Sequence, residues 1–348
     1  MKSRRRFLRA ALTLCGWMLG SFLFVAQAQP NGLERAKAAQ NAVTDVLLGI
    51  RGVVGTAAGV DAQGEAAVLI LVADEGAGRG LPRQLNGVPV SVIVTGEIFA
   101  LREADAASFA KPAAGATKID PKKRFARPVP IGVSTGNGNV GSPCSAGTIG
   151  ARVKDAAGNV YALSNNHVYA LENSAPIQSP IHQPGPYDTG CIVSDNNVIA
   201  SLTAYVTIDF SGGDNTVDAA IAGSNITLVG NATPSNGYGT PKSTVVAAAV
   251  GQAVQKYGRT TSLTKGQVVG INATINVGYS SGTARFVDQI VILGTKPFSK
   301  AGDSGSLIVT NPERQPVGLL FAGSSNGYTF ANRIDSVLTA FGVSVDGE

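Results

Sequence analysis

The sequence predicts a mostly β protein in which a long C-terminal barrel or double barrel follows a small α+β unit. From residue 131 onward, short apolar runs alternate with turns rich in Gly, Asn and Asp, the pattern of a β domain. Glycine is abundant at 43 residues and aromatics make up only 6%, which favours a turn-rich β fold over a helical bundle. The 348 residues are enough for two domains.

Residues 1–28 have the pattern of an export signal. Basic residues precede an apolar run over 10–25, and Ala26-Gln27-Ala28 fits the small-x-small pattern before a cleavage site. The run is shorter than the roughly 20 residues of a membrane helix, so we expect no stable membrane span after signal removal. Residues 3–8 also resemble the twin-arginine motif, which leaves Sec and twin-arginine export both open. Either route predicts a secreted or periplasmic bacterial protein.

The formal positive charge of the chain lies in the predicted export signal. The chain has 28 Lys and Arg against 23 Asp and Glu, and five of the basic residues lie in 1–28. The remainder is formally neutral, which gives no electrostatic case for a nucleic-acid partner. With two histidines and neither Cys-x-x-Cys nor His-Glu-x-x-His, we expect no metal and no cofactor.

Two cysteines, Cys144 and Cys191, remain after Cys15 leaves with the signal. In an exported protein such a pair favours one disulfide, and two separate buried thiols are the alternative. Closing the loop between them would stabilise the fold by about 4 kcal/mol in the chain-entropy model.

Residues 29–101 are predicted to form the small α+β domain, whose chemistry suggests no activity of its own. Its predicted elements are a helix over 31–50, strands over 52–57, 67–72 and 88–94, and a short helical turn within 81–87. Prolines and a basic cluster mark 102–130 as a linker, either a protease-sensitive joint or a solvated spacer.

The C-terminal part begins with a predicted hairpin that leads to His167. Its further predicted elements are strands over 147–153, 160–164, 200–208, 217–222, 245–250, 266–277 and 316–321, with a closing helix over 334–341.

Gly302-Asp303-Ser304-Gly305 lies at a turn between two strand-like runs. Glycines let backbone N–H groups approach a substrate closely, and two such groups aimed at one point form an oxyanion hole. Taken alone, this tetrapeptide fits an ordinary polar turn equally well.

His167 and Asp218 supply the partners that a nucleophilic serine needs. A serine hydroxyl is a poor nucleophile until a base takes its proton, and an imidazole with a pKa of about 6.5 can do so near neutral pH. Asp218 lies in an apolar run, where a carboxylate is costly to bury unless it is paired. Such a carboxylate would hold the imidazole in the useful tautomer. Taken singly, His167 also fits a structural histidine, and Asp218 fits an acid facing solvent.

Residues 131–343 resemble the chymotrypsin-like serine proteases, in particular their bacterial trypsin-like branches. The resemblance rests on five segments in one order: 164–168, 217–222, 254–261, 302–306 and 318–324. It implies a double six-stranded β-barrel of chymotrypsin type with the site between the barrels. It also implies His167 as general base, Asp218 as its orienter and Ser304 as nucleophile, with the N–H groups of Gly302 and Ser304 as the oxyanion hole.

The same resemblance implies the substrate-binding residues. Phe321, Ala322 and Gly323 would pair with a bound peptide and wall the specificity pocket. Phe298 falls near the base of that pocket, where an acid would select Lys or Arg, and it favours small or medium apolar side chains instead. Ser306 departs from the family pattern, which has a second glycine there.

The sequence therefore predicts an exported serine endopeptidase that cleaves polypeptides through an acyl-enzyme, with its protease domain over 131–348. A catalytically weak or inactive peptide-binding protein on the same fold is the alternative. A serine esterase is disfavoured because the Gly-x-Ser-x-Gly elbow is absent. The N-terminal domain is either an intramolecular pro-domain or a permanent accessory domain.

Overall fold

Two β-sheets make up most of the protein. A computed structural model describes residues 30–101, 119–139 and 144–348. The predicted export signal and residues 102–118 of the predicted linker lie outside the described residues. The described strands form one sheet of twelve strands and one of eight, which confirms the mostly β fold class.

The N-terminal unit packs two helices against strands that extend the larger sheet. Its elements are α1 (Pro30–Asn41), α2 (Thr44–Leu48), β1 (Val53–Val60), β2 (Ala66–Val72), β3 (Gln84–Leu85), β4 (Val88–Val94) and β5 (Ile98–Ala100). The helix predicted over 31–50 is interrupted by a turn at residues 42–43. The helical turn predicted within 81–87 is wrong, because β3 forms there and pairs with β4.

The smaller sheet carries the chain from residue 134 to the histidine and aspartate segments. This part of the chain contains β6 (Ser134–Asn137), β7 (Gly147–Thr148), β8 (Ala151–Asp155), β9 (Val160–Ser164), α3 (Asn166–Tyr169), β10 (Pro180–His182), β11 (Val198–Tyr205), β12 (Asp214–Asn215) and β13 (Ala220–Ser224). Of these strands, β12 belongs to the larger sheet, where it pairs with β16. The predicted hairpin is confirmed by the antiparallel pairing of β8 with β9. The strand predicted over 217–222 begins only at Ala220, so Asp218 lies just before it.

Most strands of the larger sheet come from the second half of the chain, and β1 to β5 of the N-terminal unit complete it. Its elements, with the closing helix and last strand, are β14 (Ala253–Gly258), β15 (Ser262–Tyr279), β16 (Gly282–Gly294), β17 (Leu307–Thr310), β18 (Pro316–Ser324), β19 (Thr329–Arg333), α4 (Ile334–Phe341) and β20 (Val343–Val345). The predicted closing helix is confirmed; Gly342 ends it with φ +62°, a conformation that glycine adopts readily. The strand predicted over 245–250 is wrong, since no strand forms there.

The order of strands joins the N-terminal unit to the larger sheet. That order is β12-β16-β19-β18-β17-β14-β15-β1-β2-β4-β3, with β5 against β15 and β18; the smaller sheet runs β20-β8-β9-β13-β11-β10-β6-β7. Gly59 of β1 allows a close approach, because a Cβ there would lie 2.6 Å from the Val269 carbonyl oxygen. The N-terminal unit therefore shares backbone hydrogen bonds with the long hairpin β15–β16.

The two sheets share an apolar core that sets the distance between them. Leu163 of β9 packs in one buried cluster with Leu307 of β17, Leu319 of β18 and Val337 of α4. Burial of a leucine-sized side chain stabilises a fold by about 1.5–3 kcal/mol. Because β9 leads to His167 and β17 follows Ser304, this core holds those two segments at a fixed separation.

Two further contacts tie the region before β6 and the loops to the smaller sheet. Cys144 and Cys191 form a disulfide with their Cα atoms 5.8 Å apart, which confirms the predicted pairing. Val129, within the predicted linker, bridges Val229, and its N–H donates to the Leu228 carbonyl at 2.9 Å. The described helices include none long and apolar enough to cross a membrane.

Candidate active site

His167 lies in the single helical turn α3, directly after β9. Its side chain is fully buried, and so is that of Asp218, which precedes β13. Since β9 and β13 are neighbours in the smaller sheet, their ends bring the two residues together. The Asn165 side chain completes the junction by donating Nδ2–H to the Asp218 carbonyl at 2.7 Å.

The His167 imidazole and the Asp218 carboxylate are directly bonded. Nδ1 of His167 lies 2.5 Å from Oδ2 of Asp218, and the His167 backbone N–H donates to Oδ1 at 3.2 Å. A carboxylate in this position favours the tautomer with the proton on Nδ1. Nε2 is then an acceptor, and this buried nitrogen has no hydrogen-bond partner among the described residues.

A tyrosine hydroxyl provides a further donor to the same carboxylate. Tyr279, at the end of β15, donates its hydroxyl to Oδ2 of Asp218 at 2.9 Å. Its ring also packs edge-on against His167, with centroids 5.9 Å apart. Burial, reinforced by the neighbouring Asp218 charge, raises the pKa of Tyr279 well above its ordinary value, so the hydroxyl stays protonated and donates.

Asp218 is also fixed through its backbone. Its N–H donates to Oδ1 of Asn332 at 3.0 Å, and the Asn332 amide donates to Oε1 of Gln289 at 2.7 Å. Asn332 belongs to β19 and Gln289 to β16, both in the larger sheet. Residues of the larger sheet therefore hold Asp218, which precedes a strand of the smaller sheet. The described contacts thus make the His167–Asp218 pair a junction between the two sheets.

Ser304 lies in the turn between β16 and β17. Gly302 and Gly305 on either side both have φ +90°, a conformation that favours glycine. The Ser304 hydroxyl lies 3.3 Å from the Phe321 carbonyl, and its own carbonyl accepts the Thr148 N–H at 2.7 Å. The turn is therefore pinned to β18 on one side and β7 on the other.

The short strand β7 separates the histidine turn from the serine turn. A Cβ placed on Gly147 would lie 2.6 Å from Val168, the residue after His167, and 3.0 Å from the Ser304 carbonyl oxygen. Only a residue without a side chain fits between them. The structure therefore brings the turns that carry His167 and Ser304 against the same two-residue strand.

A buried ion pair supports the serine turn. The Asp303 carboxylate lies 3.4 Å from Nζ of Lys256, and both side chains are fully buried. The same carboxylate accepts the backbone N–H groups of Thr260 at 2.8 Å and Lys300 at 3.0 Å. Burial lowers the pKa of Lys256, and the Asp303 charge opposes that shift.

The predicted substrate-binding strand is occupied by the protein's own chain. β5 pairs antiparallel with β18, with Ala100 opposite Ala322 and Phe99 opposite Gly323. Leu101, which follows β5, donates its N–H to the Phe321 carbonyl at 3.2 Å. Its carbonyl accepts the Gly302 N–H at 2.7 Å, so one of the two predicted oxyanion donors is already bonded.

Phe298 lies near the same segment. It is fully buried and belongs to an apolar cluster that also contains Leu101, Val254 and Ile292. The place of Phe298 at the base of a specificity pocket stays a prediction.

Tyr279, Lys256 and Leu101 were not identified by sequence reasoning. Tyr279 is 61 residues from Asp218, in a strand pattern that carries no chemical signal. Lys256 lies in the segment 254–261, which contributes to the resemblance without a role of its own, and Leu101 lies at the end of a unit whose residues suggest no activity. No group of His, Cys, Asp and Glu suited to a metal occurs among the described residues.

Comparison with known proteins finds similar proteins for part of this chain. Streptogrisin-A of Streptomyces griseus is 39% identical over 100 residues, which are 28% of this chain and 31% of streptogrisin-A. The chain is thus similar to a bacterial serine protease of streptogrisin type over those 100 residues, which are less than a third of either protein. The model of the Nal1 C-terminal domain family also matches residues 238–346.

Solved structures of similar proteins include two bacterial proteases. Protease A of Thermobifida fusca is 18% identical with a TM-score of 0.45, covering 63% of this chain and 98% of its own. The chymotrypsin of Cellulomonas bogoriensis is 21% identical with a TM-score of 0.42, covering 63% of this chain and 98% of its own.

Proposed function

We propose that this chain is an exported serine endopeptidase that hydrolyses polypeptides through an acyl-enzyme. The observation that carries the proposal is the buried His167–Asp218 pair, whose outer nitrogen Nε2 has no partner among the described residues. Relationship to streptogrisin-type proteases supports it. In this proposal His167 is the general base, Asp218 its orienter and Ser304 the nucleophile.

The first half-reaction forms the ester. Nε2 of His167 takes the proton of the Ser304 hydroxyl as Oγ attacks the carbonyl carbon of the substrate. The Asp218 carboxylate stabilises the imidazolium that forms. The N–H groups of Gly302 and Ser304 stabilise the oxyanion, and removing one such donor typically costs about 10²–10³ in kcat. The imidazolium then protonates the leaving amine as the C–N bond breaks.

The second half-reaction releases the acyl group. A water enters where the amine left, gives its proton to Nε2 of His167, and attacks the ester carbon. Ser304 leaves with that proton, and the peptide departs with a new carboxylate. Phe321, Ala322 and Gly323 hold the substrate backbone as an added strand, as β18 holds β5.

The finer features of the fold are part of the same proposal. The two sheets correspond to two six-stranded barrels, with residues 131–348 as the protease domain and 102–130 as a linker. Residues 1–28 direct export to the periplasm or the medium. Residues 29–101 form an intramolecular pro-domain rather than an accessory domain, since β5 lies on the strand that would bind substrate.

Labelling with a fluorophosphonate tests the nucleophile. We expect the secreted, folded protein to form one adduct on Ser304, mapped by mass spectrometry of its peptides. Ser304→Ala should abolish labelling and reduce peptidase activity to the residual level left by binding and oxyanion stabilisation. Ser344→Ala, on an exposed serine, is the matched control and should label normally.

The same experiment separates the alternative reading. A folded protein that binds peptides but takes up no fluorophosphonate would be a peptide-binding relative of the proteases. An adduct on any serine other than Ser304 would overturn the assignment of the nucleophile.

A further inference from the structure

Two threonine hydroxyls hold the peptide groups on either side of Gly302, whose N–H is one of the two proposed oxyanion donors. Thr260 donates its hydroxyl to the Ala301 carbonyl at 2.6 Å, and Thr148 donates its hydroxyl to the Gly302 carbonyl at 2.9 Å. Thr260 lies between β14 and β15 of the larger sheet, whereas Thr148 belongs to β7 of the smaller sheet. Both carbonyls are therefore fixed from outside the serine turn.

The bond from Thr260 also sets the direction of the Gly302 N–H. The peptide between Ala301 and Gly302 is trans and planar, so its C=O and N–H point in opposite directions. A donor that holds the Ala301 oxygen on one side therefore aims the Gly302 N–H to the other. On that other side the N–H donates to the Leu101 carbonyl at 2.7 Å.

A glycine at this position leaves the direction of the N–H open unless other groups fix it. Gly302 has φ +90°, and glycine adopts positive and negative φ with about equal ease. The peptide plane that carries its N–H can therefore rotate at little steric cost. Residues 299–306 form no strand, so strand pairing within the turn does not hold that plane. The two hydroxyl bonds supply the constraint.

Arg259 donates to both threonine hydroxyls. Its guanidinium Nη1–H donates to Oγ1 of Thr260 at 3.2 Å, and its backbone N–H donates to Oγ1 of Thr148 at 3.1 Å. A hydroxyl has a single hydrogen, so an oxygen that accepts from Arg259 keeps its own hydrogen for the carbonyl. Arg259 therefore favours the orientation in which each threonine donates to the serine turn.

Asp188 fixes the Arg259 guanidinium. Its carboxylate accepts Nε–H at 2.7 Å and Nη2–H at 2.5 Å, a bidentate pair in which Arg259 is only 1% exposed. The Ser134 hydroxyl donates to the same carboxylate at 2.5 Å. Asp188 comes shortly before Cys191, which the disulfide ties to Cys144. The contacts thus run from the disulfide-closed segment to the proposed oxyanion donor.

We propose that Thr260 and Thr148 are positioning residues that aim the Gly302 N–H at the oxyanion, and that Arg259 orients their hydroxyls. This inference rests on the proposed function. The substrate oxygen gains charge in the transition state, so a correctly aimed N–H stabilises that state more than it stabilises the bound substrate. Loss of a threonine hydroxyl should therefore slow formation of the acyl-enzyme and leave substrate binding almost unchanged.

Thr260→Val tests the positioning role, because valine keeps the branched shape and removes the hydroxyl. We expect kcat to fall at least about tenfold with KM within about twofold, since the lost interaction is made in the transition state. Thr260→Ser keeps a hydroxyl and should restore most of kcat. Thr203→Val is the matched control: the Thr203 hydroxyl also donates to a carbonyl, that of Ser201 at 3.0 Å, and its loss should leave kcat within about twofold.

A peptide aldehyde gives a second readout, which a merely structural role would not move. The aldehyde adds to Ser304 and places its oxygen where the oxyanion forms, so its affinity in Thr260→Val should fall by the same factor as kcat/KM. Urea denaturation shows which variants are folded. Wild-type kcat and aldehyde affinity in folded Thr260→Val would overturn the inference, and so would a lower kcat with unchanged aldehyde affinity.

Arg259→Lys tests the shared donor and decides the question if Thr260→Val does not fold. Lysine keeps a cation for Asp188 and the backbone N–H to Thr148, but it lacks the guanidinium arm that reaches Thr260. We expect kcat to fall by about threefold or more with KM preserved. Added to Thr260→Val, it should cost nothing further, because both changes act through one hydroxyl. Wild-type kcat in Arg259→Lys, or losses that multiply, would overturn the inference.

Labelling of Ser304 distinguishes failure of this inference from failure of the proposed function. If a fluorophosphonate labels Ser304 in wild type while Thr260→Val keeps wild-type kcat and aldehyde affinity, the inference fails and the proposed function stands. If wild type takes up no label at Ser304, the proposed function fails and this inference falls with it.

Discussion

His167 and Ser304 are held in place by different kinds of contact. On the histidine side, Asp218 is a single carboxylate that accepts from the imidazole, a backbone N–H and the Tyr279 hydroxyl. On the serine side, Asp303 is buried against a lysine and several backbone N–H groups. The first acid touches the proposed general base, whereas the second touches only the turn that carries the proposed nucleophile.

Because of this difference, changes at the two acids should affect different properties of the protein. A change at Asp218 alters the tautomer and the charge stabilisation of the base, which matter most in the transition state. A change at Lys256 leaves the Asp303 charge buried without its cation, which costs free energy in the folded state itself. We therefore expect substitutions next to His167 to lower kcat. Substitutions that support the Ser304 turn should first lower the free energy of unfolding.

The largest effect is expected for Asp218→Asn. The amide keeps the shape of the carboxylate but favours the wrong imidazole tautomer and cannot stabilise the imidazolium, so kcat should fall by about 10⁴-fold. Steady-state peptide hydrolysis measures it, with the free energy of unfolding followed in parallel. Asp195→Asn, on an exposed acid, should leave kcat within about twofold. A fall of less than tenfold would show that Asp218 is not the orienter of His167.

The next effect is expected for Lys256→Met. Loss of the ammonium leaves the buried Asp303 carboxylate uncompensated and should lower the free energy of unfolding by about 3–5 kcal/mol. Urea denaturation of the full chain measures this loss. Lys123→Met, on an exposed lysine, should change it by no more than about 0.5 kcal/mol. An unchanged free energy of unfolding in Lys256→Met would contradict a stabilising role for the Lys256–Asp303 ion pair, and with it the contrast between the two sides of the site.

A smaller effect on rate is expected for Tyr279→Phe. Removing a donor to a charged acceptor costs about 1.5–3 kcal/mol, part of which appears in the transition state as a lower kcat. Steady-state peptide hydrolysis at neutral pH measures the change in kcat. Tyr328→Phe, on a half-buried tyrosine, is the control and should leave kcat within about twofold. A kcat in Tyr279→Phe equal to that of wild type would reduce Tyr279 to a packing role.

The smallest effect is expected in the alkaline range. Because the pKa of Tyr279 is raised in the folded state by burial and by Asp218, the hydroxyl ionises more readily in the unfolded chain. The folded state binds more protons there, so stability is fully present below the unfolded pKa of about 10 and declines above it. Urea midpoints at neutral and alkaline pH should therefore converge more closely in Tyr279→Phe than in wild type.

Local sequence patterns anticipated the elements that depend on local chemistry. The helix over 334–341 follows from its apolar spacing and from the glycine that ends it. The paired strands before His167 follow from alternation around a turn with Asp and Gly. The predicted strand over 245–250 failed because its apolar residues, such as Val245 and Val246, pack singly against separate clusters without a partner strand.

His167, Asp218 and Ser304 could be nominated because each residue type has a role that the other two explain. The supporting residues could not, since a tyrosine in a strand or a lysine before a turn is ordinary until its partner is known. Tyr279 meets Asp218 only because the long hairpin β15–β16 reaches across to the smaller sheet. Whether the three nominated residues act together stays a prediction until Ser304 is labelled.

The sequence by itself determined the β-rich character, the cysteine pair and the glycine-flanked serine, because each depends on residue type and short-range spacing. Only the tertiary structure decided which segment lies on β18. Backbone groups on an open strand accept any extended partner, and β5 takes that position because β1 anchors its unit to β15. The same long-range pairing turned Leu101, an unremarkable residue in the sequence, into the one whose carbonyl meets Gly302.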